Sequence, residues 1–266
     1  MRYRTVLTIA GSDGSGGAGI QADLKTIAAL GCYGVSVITA VTAQNTLGVK
    51  SCLELPVSSI RAQLKAILGD IEIDAVKIGM LGSVAVIDTV ADMLHALDVP
   101  VVLDTVLRSS SGTELLEPGA FPVMIEKLFP LASLVTPNIH ESMLLAGMET
   151  PPSTGLEMEK TAMLLHGMGA SSILLKGGHL VGAHSSDCLL HRNEIRWFSS
   201  EKIVSPNTHG TGCTLSSAIA SFLASGSGMV PAVEQAKAYT LEAIRAGAAY
   251  RLGSGNGPLH HCYRFW

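Results

Sequence analysis

Long apolar runs, clustered positive charge and patterned cysteines are all missing from this sequence, and each absence removes a class of function. No apolar run in its 266 residues approaches the length of a bilayer span, so no membrane partner is expected. The opening "MRYRTVLTIAGSD" carries two arginines, but its apolar stretch is too short for a signal peptide and no small-residue cleavage site follows. It reads as a first strand. Only 15% of residues are charged, the net charge is −4 and there is no basic block, which argues against nucleic acid as the main partner. Five cysteines (Cys32, Cys52, Cys188, Cys213 and Cys262) are odd in number and widely scattered. They form neither a disulfide framework nor a zinc pattern, and the reducing cytoplasm is the default compartment.

What is present is apolar material. The chain is 47% hydrophobic, enough for a large sheet covered on both faces. Runs of strand length alternate with segments of helical period. "RTVLTIAG" is a strand followed by a helix from about Gly16 to Leu30, and "GVSVITAV" and "GVKSCLEL" are the next strands, the second a candidate edge. The helix "VSSIRAQLKAIL" leads into the β-like "IDAVKIGM"; the helix "VAVIDTVADMLHAL" leads into "PVVLDT". A helix near "FPVMIEKLF", the strand "SLVTPN", helices around Glu141–Ala146 and Gly155–Met168, and the strand "SSILLKGG" follow. A hairpin over "SDCLLHRNEIRWFSS" and two helices near Thr214–Ala224 and Val230–Arg251 complete the pattern. Such alternation predicts an α/β fold, a mainly parallel central sheet flanked by helices. With no repeat, low-complexity tract or linker, residues 1–266 read as one domain.

Open parallel sheets bind ligands outside the carboxyl ends of their strands. The strand exits carry Gln44 and Asn45, Lys77 and Met80, Asp104, Asn138 with Glu141, and Lys176. One polar residue after a strand is ordinary turn chemistry; five such exits predict a ligand site along one rim.

Two glycine loops bear on that site. In "GSDGSGGAG", Gly14, Gly16 and Gly19 match the dinucleotide fingerprint, but no acidic residue closes the next strand to hold a ribose. The phosphate-loop pattern fails too, since no Gly-Lys-Ser/Thr follows. A loop closing over a small substrate near Asp23 is preferred here, ahead of a plain flexible turn and well ahead of an NAD site. "HGTGC" is the stronger signal. Gly210, Thr211 and Gly212 leave backbone amides uncovered at a helix start, an anion hole suited to a transferring phosphoryl group. Cys213 sits where its thiol could meet a substrate hydroxyl, and a helix start is expected to draw it toward thiolate; the competing reading is a buried packing residue. His209, four residues earlier, admits a thiol-protease arrangement only if its ring points at the sulfur.

In "TPNIHE", Asn138 and Glu141 suit a hydrated Mg²⁺, although a helix cap explains the pair equally when taken alone. "KGGH" (Lys176–His179) alone is a lysine before a turn. "GPLHHCYRF" packs His260, His261 and Cys262 together, but adjacent residues diverge, so it reads as a docking segment rather than a metal site.

Assembled in order, "LTIAGSDGSGGAGIQADLKT", "GVSVITAVTAQNT", "KIGML", "TPNIHE", "LLKGGH", "THGTGC" and "GPLHH" resemble the ribokinase-like superfamily and, within it, the hydroxymethylpyrimidine/phosphomethylpyrimidine kinases of thiamine synthesis. The resemblance runs nearly end to end. It implies a three-layer ribokinase-like fold with eight or nine strands, ATP with Mg²⁺, and phosphorylation of a pyrimidine alcohol and then of its monophosphate. It places Gln44 on the aminopyrimidine, whose ring nitrogen and amine match a carboxamide's donor and acceptor. Met80 and Leu107 would lie beside the ring, with Asp23 also on the substrate. Glu141, Asn138 and Asp104 would organise Mg²⁺, and Lys176 and Thr208 would meet the nucleotide. Gly210, Thr211 and Gly212 would form the anion hole, with Cys213 in the place of the superfamily's aspartate base. A homodimer is the expected assembly.

One stretch departs from the family pattern. Relatives reading like "DPVMVAKSGD" are matched by "DTVLRSSSGT", with Thr105 for a proline and Ser110 for a lysine, Arg108 being the nearest charge that could replace it. Gly14–Gly19 and Ser109–Ser111 are candidate lids. A vitamin B6 kinase acting on pyridoxal or pyridoxine is the alternative enzyme, and a non-catalytic ligand-binding protein the alternative class.

Overall fold

The computed structural model describes residues 1–107, 112, 114–117, 119–178 and 183–266. Seventeen elements follow one another: β1 (Thr5–Asp13), α1 (Gly19–Ala29), β2 (Tyr33–Asn45), β3 (Gly48–Glu54), α2 (Val57–Leu68), β4 (Ala75–Ile78), α3 (Val84–Leu94), β5 (Val101–Leu103), α4 (Ala120–Leu128), β6 (Leu134–Val135), α5 (Ile139–Leu145), α6 (Gly155–Gly167), β7 (Ser172–Leu175), β8 (His184–His191), β9 (Glu194–Glu201), α7 (Thr211–Ala224) and α8 (Met229–Gly247). Among the described residues no helix is long and apolar enough to cross a membrane.

Among the described residues nine strands join one sheet in the order β3-β2-β1-β4-β5-β6-β7-β8-β9. From β2 through β7 every pairing is parallel. Antiparallel β3 closes one edge, and the β8–β9 hairpin extends the other. The hairpin turns on Arg192 and Asn193, both at positive φ (52° and 63°), the geometry that matches strand twist in a two-residue loop.

The two-residue period of the strands explains the layers. Leu7, Ile9, Val76, Ile78 and Leu103 face a core shared with α2 to α6. Val6, Ala75, Val102, Leu134 and Leu174 face the opposite core, shared with α1, α7 and α8. Helix α7 lies close on the sheet because Ser216, Ser217, Ala218, Ala220 and Ser221 are small and buried. Leu215 and Ile219 of α7 are in this core, with Phe222 and Leu223 half-buried beside it.

Chain order reverses between β1 and β4, because β2 and β3 lie to one side of β1 and the later strands to the other. That is the switch point at which a crevice opens above the strand ends.

Several helix boundaries differ from expectation, α7 beginning at Thr211 and α3 ending at Leu94 among them, and two differ for identifiable reasons. α1 begins at Gly19, not Gly16, because the Asp13 carboxylate accepts from the amides of Ser15 and Ala18 and holds Gly14–Ala18 as a turn. α8 ends at Gly247, not Arg251, where the Asn207 side chain donates to the carbonyls of Gly247 and Tyr250.

Under the switch point lies a buried ion pair. Lys77 in β4 and Asp23 in α1 are both fully buried, with Nζ 2.9 Å from each carboxylate oxygen. Thr8 in β1 and Ser217 in α7 donate to the same carboxylate at 2.6 and 2.8 Å. Burial works against the Lys77 charge, yet the Asp23 carboxylate holds its pKa above the ordinary lysine value. Removing one partner strands the other's charge, so Asp23→Ala is expected to lower the unfolding free energy by about 3–5 kcal/mol, read from the urea midpoint. A midpoint equal to that of the parent protein would show that the pair carries no stability.

Candidate active site

The cavity over the strand ends has a volume of about 920 Å³. It gathers Gln44, Met80, Asp104, Leu107, Asn138 and Glu141 along its strand side, with Lys176, Thr208 and the turn Gly210–Cys213 facing them. Arg108, Ser109, Ser110, Ser111 and His179 lie outside the described residues.

Asp23 does not join the cavity rim. It has no exposed surface, and its two oxygens are taken by Lys77, Thr8 and Ser217. The expected substrate contact is therefore replaced by a structural one: Asp23 holds Lys77, whose side chain reaches the cavity floor.

The turn before α7 needs glycine for steric reasons. Gly210 has φ of 85°, and a Cβ there would lie 1.8 Å from the Gly17 carbonyl oxygen. The "GSGG" loop and the "HGTGC" loop thus touch backbone to backbone. At Gly212 a Cβ would point at the Lys176 ammonium, 3.4 Å away, and at the Asp104 carboxylate, 3.5 Å away. Lys176 and Asp104 are themselves paired at 2.8 Å, and Thr136 and Ser216 donate to the same carboxylate at 3.1 and 3.3 Å. Burial opposes both charges. Each offsets that for the other, so Lys176 lies above its ordinary pKa and Asp104 below. A helix start and a half-buried cation therefore face the same point.

Cys213 is the third residue of α7 and is half-buried. The backbone amide of Gly19, at the start of α1, works to lower its pKa. The expected drift toward thiolate is reversed, however. Burial pushes the thiol up to about 11; Lys77 opposes this, and the charges of Asp23 and Asp104 add to it. Desolvation outweighs the helix start.

Asn138 and Glu141 form a complete capping box at the start of α5. The Asn138 carboxamide oxygen accepts from the amides of His140 and Glu141, both at 2.9 Å. Glu141 Oε2 accepts from the Asn138 amide at 2.7 Å and from the Thr105 hydroxyl at 3.2 Å. Thr105, where the family pattern has proline, thus supplies a donor that proline lacks. Burial pushes Glu141 up to about 7, Lys176 opposing and Asp104 adding to the rise. Cap and carboxylate ligand are compatible for Glu141. The Asn138 oxygen is already occupied by its two amides. Among the described residues no group of three or more His, Cys, Asp or Glu surrounds a point. The carboxylates of Asp104 and Glu141 on the cavity wall fit a Mg²⁺ that keeps its waters and rests mainly on phosphate oxygens, not a protein cage.

Two constellations escaped the sequence reading. His209 does not aim at Cys213: its Nε2 lies 2.9 Å from Asp13 Oδ2 and 3.1 Å from the Gln44 carboxamide nitrogen. A thiol-protease arrangement is thereby lost. Burial works to raise the Asp13 pKa, but hydrogen bonds from His209, Ser15 and Ala18 hold it well below the carboxylate range. The one available signal was an acidic residue closing the first strand within a glycine loop. Toward the sheet's far side, Asp187 accepts from the Gly177 amide at 2.9 Å and pairs with Lys237 at 2.5 Å. Ile203, Val204, Leu241 and Ile244 give that end of the cavity apolar walls. Nothing in a hairpin's alternation marks Asp187 as a site residue.

Comparison with known proteins shows the family and the fold. Residues 13–260 match the family model described as phosphomethylpyrimidine kinase. The chain is 45% identical to a hydroxymethylpyrimidine/phosphomethylpyrimidine kinase of Rhizobium meliloti (strain 1021), covering 98% of this chain and 97% of that one. It is 42% identical to the Escherichia coli (strain K12) protein of the same name over the full length of both. Among solved structures, pyridoxal kinase from Staphylococcus aureus in complex with AMP-PCP and pyridoxal superposes with a TM-score of 0.89 at 32% identity, covering 99% of this chain and 96% of that one.

The raised thiol pKa has a direct chemical readout. Alkylation of Cys213 by iodoacetamide, followed by peptide mass spectrometry, is expected to be slow at neutral pH and to climb about tenfold per unit between about pH 7 and pH 9.5, because only thiolate reacts. A rate that levels off near pH 8 would show that the helix start outweighs burial after all.

Proposed function

This chain belongs to the phosphomethylpyrimidine kinase family, and from that premise we propose that Cys213 takes the proton of a pyrimidine alcohol while the start of α7 holds the transferring phosphoryl group. The chain is a small-molecule kinase of thiamine synthesis. It phosphorylates 4-amino-5-hydroxymethyl-2-methylpyrimidine and then the monophosphate, giving the diphosphate. ATP is the donor, in keeping with the AMP-PCP bound by the Staphylococcus aureus neighbour.

The observation that carries the assignment of roles is the partly buried Lys176–Asp104 pair set against Gly212. Phosphoryl transfer passes through a loose transition state, so positioning and charge matter more than base strength. Lys176 and the amides of Gly210 and Gly212 meet the charge on the phosphoryl oxygens, whereas the Thr211 amide, expected to be uncovered, donates to the Thr208 carbonyl at 3.3 Å. Thr208 and the apolar end of the cavity receive the nucleotide. Mg²⁺, held through water by Glu141 and Asp104, would neutralise phosphate charge. Gln44, Met80 and Leu107 hold the pyrimidine ring at the other end.

Deprotonation distinguishes the two steps. The alcohol loses a proton, and the small thiolate fraction of Cys213 receives it. The monophosphate oxygen is already ionised and needs no base. A homodimer belongs to the same proposal: β3 is an open sheet edge, exposed from Ser51 to Glu54, on which a second copy can dock. The five free cysteines suit the cytoplasm.

ATP consumption is to be compared with the pyrimidine alcohol, its monophosphate and pyridoxal as acceptors. Turnover of both pyrimidines is expected, and turnover of pyridoxal alone would move the chain to vitamin B6 chemistry. Cys213→Ala is expected to slow the alcohol step by about 10²-fold, the usual scale of general-base catalysis, with little change in the monophosphate step. The alcohol step should also rise with pH in the parent enzyme and lose that rise in the variant. Equal losses in both steps would make Cys213 a positioning residue.

A further inference from the structure

Three side chains meet at one nitrogen on the cavity wall. His209 Nε2 lies 2.9 Å from Asp13 Oδ2 and 3.1 Å from the Gln44 carboxamide nitrogen. On the other side of that carboxamide, Thr42 Oγ1 is 2.9 Å from the Ser12 carbonyl oxygen and 3.2 Å from Gln44 Oε1. Counting hydrogens decides how these groups pair. A carboxylate only accepts, so the hydrogen on His209 Nε2 points to Asp13 and that nitrogen has no lone pair for Gln44. Thr42 has one hydroxyl hydrogen, and the shorter contact to the Ser12 carbonyl takes it. Gln44 therefore has an NH₂ facing a donor and an oxygen facing lone pairs. Half a turn of the carboxamide corrects both contacts: its oxygen shares the His209 hydrogen, and its nitrogen donates to Thr42.

We infer that the Asp13–His209 pair is a positioning device that fixes the orientation of the Gln44 carboxamide and thereby selects the ring the kinase accepts. The inference rests on Gln44 as the ring contact. His209 is held from several sides. Its amide donates to the Gly257 carbonyl at 3.0 Å. Gly17 leaves room for its ring, since a Cβ there would lie 2.4 Å from His209 Cδ2. Asp13 is fixed in turn by the amides of Ser15 and Ala18, both at 2.9 Å. With one N–H and part of its acceptor capacity engaged on the protein, Gln44 presents the cavity with one donor beside one acceptor in a set order. An aminopyrimidine answers with a ring nitrogen beside an amine. A ring whose nitrogen has no amine beside it leaves the second lone pair of the carboxamide oxygen unmet, and such an unmet acceptor in a closed site is how a polar site rejects a near-isostere. A carboxamide free to turn loses part of that discrimination.

The test compares kcat and KM for the aminopyrimidine alcohol and for the same alcohol without its amine. Asp13→Asn and His209→Leu are expected to raise KM for the aminopyrimidine by about tenfold, the scale of one hydrogen bond, with kcat within about twofold. KM for the desamino compound should hardly move, so the preference shrinks. His209→Gln should keep it, because the glutamine nitrogen reaches a similar place with two hydrogens, one for Asp13 and one for Gln44. In a Gln44→Leu background, Asp13→Asn and His209→Leu should have no further effect on the preference. Equal losses on both acceptors, a fall in kcat alone, or full effects persisting in the Gln44→Leu background would overturn the inference. If His209→Leu fails to fold, Asp13→Asn against His209→Gln still decides it. A parent enzyme with no preference for the aminopyrimidine would overturn the substrate reading beneath it.

Discussion

The buried pair of Lys77 and Asp23 is the constraint around which the rest is arranged. Four elements converge on the Asp23 carboxylate: its own helix α1, β4 through Lys77, β1 through Thr8 and α7 through Ser217. These elements frame the switch point, and the two helices start beside each other there. The pair thus sets the relative position of the helix starts that flank Cys213. It also places a positive charge beneath the cavity, which opposes the burial of the thiol. Stability and the proposed chemistry are joined in one contact, since the cation that needs Asp23 in order to be buried is also the charge that acts on Cys213.

Above that floor the site is built by close approach of backbone. Gly210 meets Gly17, and Gly19 would meet the Gly11 carbonyl if it carried a Cβ, 2.3 Å away. Side chains at these points would hold the loops apart. The glycines thus serve proximity rather than looseness: two loops nearly 200 residues apart in sequence share one wall, and charged groups such as Lys176 can stand against a helix start.

Much of this was legible in the sequence, because its cause is local. Alternation of strand-length and helix-period segments follows from covering a parallel sheet on both faces, and the strand exits follow from that sheet. Gln44, Met80, Asp104, Glu141 and Lys176 were found in this way. What could not be read depends on distant partners. Asp23 looked like a substrate contact, but Thr8, Lys77 and Ser217 close over it. Cys213 looked like a thiolate because the helix start is visible in "GTGC", whereas the burial that outweighs it comes from the whole fold. Asp13 and His209 are separated by 196 positions, and no local pattern connects them.

That separation bears on how the protein comes to be folded. Asp13 to His209, Asp23 to Ser217 and His209 to Gly257 are contacts between early and late parts of the chain, or among its late parts. Closing such loops is entropically costly and must precede any reward from the contacts themselves. The central strands can pair as they are synthesised, but the cavity wall around His209 waits for residues as late as Gly257. Acquisition of activity during biosynthesis is thereby tied to a late, long-range docking event, and the half-made enzyme is a sheet without a reaction centre.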